Sequence, residues 1–338
     1  MIINEGTTHS KFIYVVSINI LFGTSLSVLS SFTCPTHCKC NEAKGLTNCS
    51  SLQFTKVPSN LSQNTTDLQL GDNQMLSVSS EDFENLKLLR ELNLKKNNLR
   101  EIANFTFSNL TNLEKLVLRN NDLTILTADT FKGLTALLVL NLSNNKLVNF
   151  PALLQTCTPK LKRLYLGSNF ISIVTKDSGN LTAMTRLGLA NNRIHTIENG
   201  AFLNYPKLIN LELKNNGLVN ITHEFMSPSL GKLEKVDLSE NRISHITQDA
   251  FHHLQRLTKL KLEYNPLEYL ECDLFTPLVN LKSITLRQGS MESIAVNGNN
   301  CTNQWFEVCK RLHHVNQMRG EPIYEDRPIT ISDSSKTN

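Results

Sequence analysis

The chain has little aromatic character: one Trp and six Tyr among 338 residues, while Leu and Asn are conspicuously frequent. That combination argues for something other than a compact enzyme. The charge balance is thin as well. A net charge of +4, with 19% of residues charged, gives no footing for a nucleic-acid surface. Beyond the first thirty residues no window approaches eighteen consecutive apolar residues, so nothing later in the chain is expected to span a bilayer. Also missing are a nucleophile elbow, a phosphate loop, a zinc-protease helix and a paired-carboxylate setting, so we expect no catalysis and no cofactor. Long acidic or Ser-Gly-rich extensions of the kind a proteoglycan core would carry are absent too.

What is present begins with an apolar stretch. Lys11 precedes FIYVVSINILFGTSLSVLS (Phe12 to Ser30), which ends in small residues before Cys34. Residues 1–31 read as a secretory signal cleaved near Ser30 or Ser31. The competing reading is an uncleaved anchor, but Ser17, Asn19, Gly23, Thr24 and Ser25 dilute the stretch and favour cleavage. The polar ending SDSSKTN cannot serve as a lipid-anchor signal, so the mature chain is expected to be secreted and free of any membrane span. Cysteine usage suits that compartment: Cys34, Cys38, Cys40 and Cys49 crowd after the cleavage site, Cys272, Cys301 and Cys309 lie late, and Cys157 stands alone.

Self-similarity then dominates. From Thr65 the chain divides into units of about 24 residues opening at Thr65, Leu89, Leu113, Leu137, Leu161, Met184, Leu208, Leu233 and Leu257, with a degenerate unit from Leu281. Apolar residues fall at positions 1, 4 and 6 of a unit, and again near 11 and 14. The period-two part of each unit reads as a strand. An Asn at position 9 ends that strand each time: Asn73, Asn97, Asn121, Asn145, Asn169, Asn192, Asn216, Asn241 and Asn265. A carboxamide holds both donors and acceptors, so this Asn is expected to satisfy backbone groups buried where the chain turns, stacking into a ladder. Near position 19 a Phe recurs (Phe83, Phe107, Phe131, Phe202, Phe225, Phe251, Phe275), but the fourth and fifth units place Gln155 and Gly179 there. Pro151 and Pro159 disturb the fourth unit further, marking a local irregularity.

The pattern LxxLxLxxNxL…F…L over residues 65–288 resembles the extracellular leucine-rich repeat family with 24-residue repeats. The resemblance implies an α/β solenoid, a horseshoe with a concave parallel β-sheet, an irregular or short-helical convex side and disulfide-stapled caps. One unit cannot bury enough apolar surface to offset the ordering of its backbone, so stability requires stacking, and the end units require caps. CPTHCKC followed by Cys49 resembles the family's cysteine-rich N-terminal cap, placed here at residues 32–64. It implies pairing of Cys34 with Cys40 and Cys38 with Cys49, although four cysteines permit three pairings and can also cage zinc. Residues 289–338 form an atypical C-terminal cap and polar tail, in which NQWFEVCKRL (Asn303 to Leu312) echoes the family's cap segment. We favour a bridge from Cys272 to Cys301 or Cys309, which leaves one of these three unpaired or linked to another chain as a disulfide dimer. Cys157 reads as a buried small hydrophobe.

Positions 2, 3, 5, 7 and 8 flank the strand and are left free by the repeat. They assemble a modestly basic face from Arg90, Lys95, Lys96, Lys115, Arg119, Lys162, Arg163, Tyr165, Arg186 and Lys214, opposed by Glu91, Glu114 and Glu212. In the eighth unit Glu234, Asp237 and Glu240 reverse the sign. This face is the candidate ligand site, with an extracellular protein or an acidic glycan as partner and no nucleic acid. N-x-S/T triplets at Asn60, Asn64, Asn104, Asn109, Asn141, Asn180 and Asn220 are candidate glycosylation sites, while Asn48 and Asn300 adjoin capping cysteines. Asn141 differs in facing the sheet side, where NLS also echoes the repeat consensus. His252-His253 and His313-His314 read as solvated, and Tyr324 in EPIYEDRP as part of a polar tail with a weak sulfation motif. The family resemblance implies innate-immune recognition proteins, secreted immune factors and matrix proteoglycan cores as company. The principal expectation is a secreted recognition module; a structural matrix component and a soluble receptor ectodomain are the alternatives.

Overall fold

A computed structural model describes residues 32–151, 154–176, 181–267, 269–286 and 295–297; the expected signal segment, Asn180, Cys301 and Cys309 lie outside these. The fold is a parallel-sheet solenoid with little helix. Each unit contributes one three-residue strand to the main sheet, where successive units pair in unbroken parallel order from Asp67–Gln69 through Glu91–Asn93, Lys115–Val117, Val139–Asn141, Arg163–Tyr165, Arg186–Gly188, Asn210–Glu212, Lys235–Asp237 and Lys259–Lys261 to Ser283–Thr285. The register is fixed by the middle residue. Leu68, Leu92, Leu116, Leu140, Leu164, Leu187 and Leu211 are Cα partners in turn, and each is fully buried. A slip of one residue would turn this leucine row out of the core, so pattern and register enforce each other.

At its first edge the sheet is closed by the cap. Lys39–Asn41 pairs antiparallel with Leu46–Asn48, which then pairs parallel with Asp67–Gln69. Thr47 takes the leucine place in that row, fully buried, with its hydroxyl 3.1 Å from that of Thr65. The cap carries disulfides Cys34–Cys40 and Cys38–Cys49, the pairing the family resemblance implies. A hairpin stapled in this way covers both an apolar end and an open row of strand hydrogen bonds.

Opposite the sheet the chain runs through short 3-10 turns such as Glu81–Phe83 and Ala128–Phe131 and short paired strands such as Ile173–Val174 with Thr196–Ile197, with one short α-helix among the described residues at Leu154–Cys157. Buried phenylalanines stack along this side: Phe83 on Phe107 (5.9 Å between ring centres), Phe202 on Phe225 (5.7 Å) and Phe251 on Phe275 (6.5 Å). The row is interrupted after Phe131. In the fourth unit the helix brings Leu154, fully buried, into the core, and the Cys157 thiol donates to the Ala128 carbonyl at 3.2 Å. Cys157 is therefore a buried free cysteine with a local hydrogen-bond partner.

The ladder asparagines are the most regular feature. Asn121 Nδ2 donates to the carbonyls of Leu94 and Leu118, both at 3.0 Å, and its Oδ1 accepts from the Leu99 N–H at 3.2 Å. Asn97, Asn145, Asn169, Asn192, Asn216, Asn241 and Asn265 repeat this connection one unit at a time. Asn73 starts the ladder by donating to the Cys49 carbonyl and accepting from Leu52 and Phe54, which welds the cap to the first unit. Asn192 is half-buried; the other eight are buried.

Candidate functional site on the sheet face

Because side chains alternate along a strand, the residues on either side of each buried leucine project from the sheet face in two rows. One row reads Asp67, Glu91, Lys115, Val139, Arg163, Arg186, Asn210, Lys235, Lys259, Ser283; the other reads Gln69, Asn93, Val117, Asn141, Tyr165, Gly188, Glu212, Asp237, Lys261, Thr285. Neighbours within a row are about 4.8 Å apart, so charges separated by one repeat in sequence meet in space.

That spacing sorts the expected basic residues into two groups. Lys115 Nζ lies 2.9 Å from Glu91, Arg90 lies 3.5 Å from Glu114, and Lys214 lies 2.9 Å from Glu240. Lys95 and Lys96 both reach Asp72, at 3.4 and 3.1 Å. For Asp72 burial raises the carboxyl pKa, but hydrogen bonds and charge from Lys96 and Lys95 outweigh it and hold the group below its ordinary value. The Lys214 ammonium is shifted up, mainly by its hydrogen bond to Glu240. These five cations each have a carboxylate partner, although Lys95 and Lys96 share the single charge of Asp72. Arg119, Lys162, Arg163 and Arg186 have no carboxylate in ion-pair reach among the described residues. Arg163 and Arg186 are Cα partners on adjacent strands, and the Lys162 carbonyl accepts from the Arg186 N–H, so three of the four cluster at one place.

The sign reversal expected in the eighth unit is largely cancelled: Asp237 pairs with Lys261 at 2.9 Å, and Glu240 with Lys214. Two exposed cations that the sequence reading passed over, Lys235 and Lys259, instead continue the row begun by Arg163 and Arg186, with only Asn210 between. Position 8 also proves less free than expected. Asp72, Lys96, Asn120, Asn144, Ser168, Asn191, Asn215, Glu240 and Tyr264 all have positive φ, between 50° and 60°. Asn tolerates that conformation best among residues with a side chain, and four of the nine are Asn. The doubled Asn of the repeats was the available signal: the second carboxamide bridges backbone, and the first serves the left-handed turn. Asn144 donates to Asn120 at 2.7 Å and Asn215 to Asn191 at 3.0 Å, forming short exposed ladders beside the buried one.

Tyr165 lies half-buried in the second row between Asn141 and Gly188. Of the glycosylation candidates, Asn60, Asn64, Asn104, Asn109 and Asn220 are exposed, whereas Asn141 is half-buried on the sheet face with its Oδ1 accepting from the Ser143 N–H at 3.0 Å. Cys272 opens the turn Cys272–Phe275, and its expected bridge lies outside the described residues. His252 and His253 meet edge to face at 5.2 Å; among the described residues no three His, Cys, Asp or Glu side chains are grouped to hold a metal ion. Nor is any described helix long and apolar enough to cross a membrane.

Parallel strands stacked one per unit, the buried Asn ladder and the disulfide-stapled hairpin together define a leucine-rich repeat protein, and this chain is one. The Leucine rich repeat family matches it over residues 63–123, 88–147, 111–171 and 231–289. Among similar proteins, Leucine-rich repeat-containing protein 3 of Danio rerio is 39% identical over 66 residues, which is 19% of this chain and 25% of that protein. Podocan of Mus musculus is 29% identical over 311 residues, covering 83% of this chain and 49% of podocan. The chain thus spans half or less of the length of either relative. Among solved structures, the TLR13-ssRNA13 complex aligns with a TM-score of 0.65 at 25% identity, over 76% of this chain and 40% of that one.

Proposed function

We propose that the protein is a secreted, non-enzymatic recognition module that engages an acidic extracellular partner through its sheet face. One observation carries this reading: Lys162, Arg163 and Arg186 converge on adjacent strands without carboxylate partners, on a face where the other cations named at the outset are mostly paired off. The core does not require guanidinium groups there; a scaffold needs only the buried leucines between them. A rigid sheet presents these unpaired charges from fixed positions, so a complementary acidic surface can be steered to one place, which favours recognition over mere solubility.

The test is charge reversal at Arg163→Glu with Arg186→Glu, read by binding of a glutamate-rich peptide at low and physiological salt. An exposed pair contributes up to about 1 kcal/mol, and reversal adds repulsion of similar size. The expected loss for the double variant is on the order of 10- to 100-fold, shrinking as salt rises. Reversing Lys115 instead breaks its pair with Glu91 and is expected to affect stability more than binding. Unchanged peptide affinity in the double variant would move the site off this part of the sheet.

Secretion and glycosylation belong to the same reading, and the exposed asparagines Asn104, Asn109 and Asn220 support it. Protein recovered from culture medium is expected to lose mass on N-glycanase treatment, with glycopeptides mapping to those three positions. Recovery only inside the cell, with no mass change, would count against it.

A further inference from the structure

The centre of the unpaired cluster is not only charged. A Cβ placed on Gly188 would lie 3.3 Å from Tyr165 Cδ1 and 3.5 Å from Glu212 Oε2, so the tyrosine ring and the glutamate carboxylate share the space above this glycine. Gly188 is an ordinary strand residue paired with Tyr165 on one side and Glu212 on the other. Its backbone needs no glycine; a side chain there would fit only tightly beneath the ring. Val139 precedes Arg163 in the adjoining row, and Val117 lies one strand beyond Asn141; both valines are half-buried on the open face. Tyr165 with its diagonal neighbour Val139 thus gives the face an apolar spot, with Arg163 and Arg186 in the adjoining row. Glu212 Oε1 is held by Asn210 Nδ2 at 3.1 Å, while no donor among the described residues reaches Oε2.

We infer that Tyr165, seated on Gly188, is the anchor of a protein–protein contact, and that its occupant is a polypeptide segment presenting an apolar side chain beside carboxylates. The inference rests on the sheet face being the docking surface. The two arginines call for acidic groups. Tyr165 with Val139 calls for an apolar one, and Tyr and Arg are both enriched at the energetic centres of protein interfaces. The outer Glu212 oxygen can accept from an N–H, which a peptide backbone supplies. A sulfated glycan meets the first demand but offers no apolar side chain for Tyr165, so the chemistry selects polypeptide over polyanion.

The experiment compares three probes: a glutamate-rich peptide carrying one phenylalanine, the same peptide with serine in its place, and heparin. Each is titrated against the wild-type chain, Gly188→Val, Tyr165→Ser, and Arg163→Glu with Arg186→Glu. The phenylalanine peptide is expected to bind about tenfold tighter than the serine peptide, the difference a single well-seated apolar contact makes. Gly188→Val pushes the ring off its seat without changing any charge, and Tyr165→Ser removes the ring. Both are expected to erase that tenfold preference, so that the two peptides bind each variant equally. Valine suits a strand better than glycine, so the Gly188→Val protein should melt no lower than wild type. Equal affinity for the two peptides, a preference that survives both ring variants, or heparin binding more tightly than either peptide overturns the inference. In any of those cases, loss of peptide binding in the double arginine variant still supports the docking face. If that variant also binds unchanged, both readings fail.

Discussion

Asn121→Ala is expected to lower stability by about 2–6 kcal/mol while leaving the sheet face and its ligand preference unaltered. The estimate follows from which groups lose their partners. The Leu99 N–H has Asn121 Oδ1 as its acceptor, so the substitution leaves that buried donor orphaned. Such a group costs about 1–3 kcal/mol. The two carbonyls fare better, because the ladder is redundant. Leu94 O also accepts from Asn97, and Leu118 O also accepts from Asn145, so each keeps one bond. Losing the second bond at each adds about 0.5–1.5 kcal/mol apiece at most. Asn121→Asp separates the two contributions: a carboxylate still accepts from Leu99 but faces the two carbonyl oxygens with no N–H to offer. It should therefore be at least as damaging as alanine, and most damaging at neutral pH. Equilibrium unfolding gives the sum, but a repeat array need not unfold in one step. Amide exchange at Leu99 and its neighbours is the sharper reading, since the loss should concentrate within one unit on either side. Uniform protection in the variant would mean the ladder is ornamental.

Much of this architecture is legible in the sequence, because a 24-residue period converts spacing directly into contact. The buried leucine row, the Asn ladder and the Phe stack all follow from registered copies of one pattern, the cap disulfides are those the family resemblance implies, and the structure has each of them. The charged face was read less well, for a physical reason. Summing charges over a surface treats each as free, whereas stacking brings residues one period apart to within about 5 Å. Glu91 with Lys115, Arg90 with Glu114, Asp122 with Lys146 and Asp237 with Lys261 are each 24 residues apart and each form an ion pair. Tabulating positions by row rather than by composition would have exposed the unpaired Arg163 and Arg186, and with them Lys235 and Lys259. The short helix at Leu154–Cys157 was not legible. On the convex side a few residues of 3-10, α or turn satisfy the same connection at similar energy, so the choice is settled by neighbouring units.

Gly133→Ala is expected to be as damaging as the loss of a ladder asparagine, although nothing in the repeat pattern marks the position. Gly133 follows Phe131 and Lys132 at the end of the turn Ala128–Phe131, with φ at 92°. A Cβ there would lie 2.3 Å from the Ser108 carbonyl oxygen and 2.7 Å from Ser108 Cα, both backbone atoms of the preceding unit. No rotamer change relieves a clash of backbone against Cβ, so either the turn withdraws or the two units separate. Forcing a side chain into left-handed backbone costs about 1–2 kcal/mol and overpacking a further 1–3 kcal/mol, for a total of roughly 2–5 kcal/mol. The strain has an identifiable path: Phe131, fully buried, is the last ring before the gap in the phenylalanine row, and the helix at Leu154–Cys157 packs against its turn. Withdrawal of the turn would therefore loosen Cys157, whose thiol bonds the Ala128 carbonyl. The expected result is a lowered unfolding midpoint together with faster labelling of Cys157 by a thiol reagent in the folded state. Gly200→Ala is the control. It also has positive φ, at 82°, but the nearest atom to its Cβ would be the flexible end of Leu203, at 3.0 Å, so it should pay the conformational cost alone. Equal losses in the two variants would assign the effect to backbone conformation, while a Gly133 variant with unchanged midpoint and thiol protection would show that the units do not meet as closely as the geometry requires.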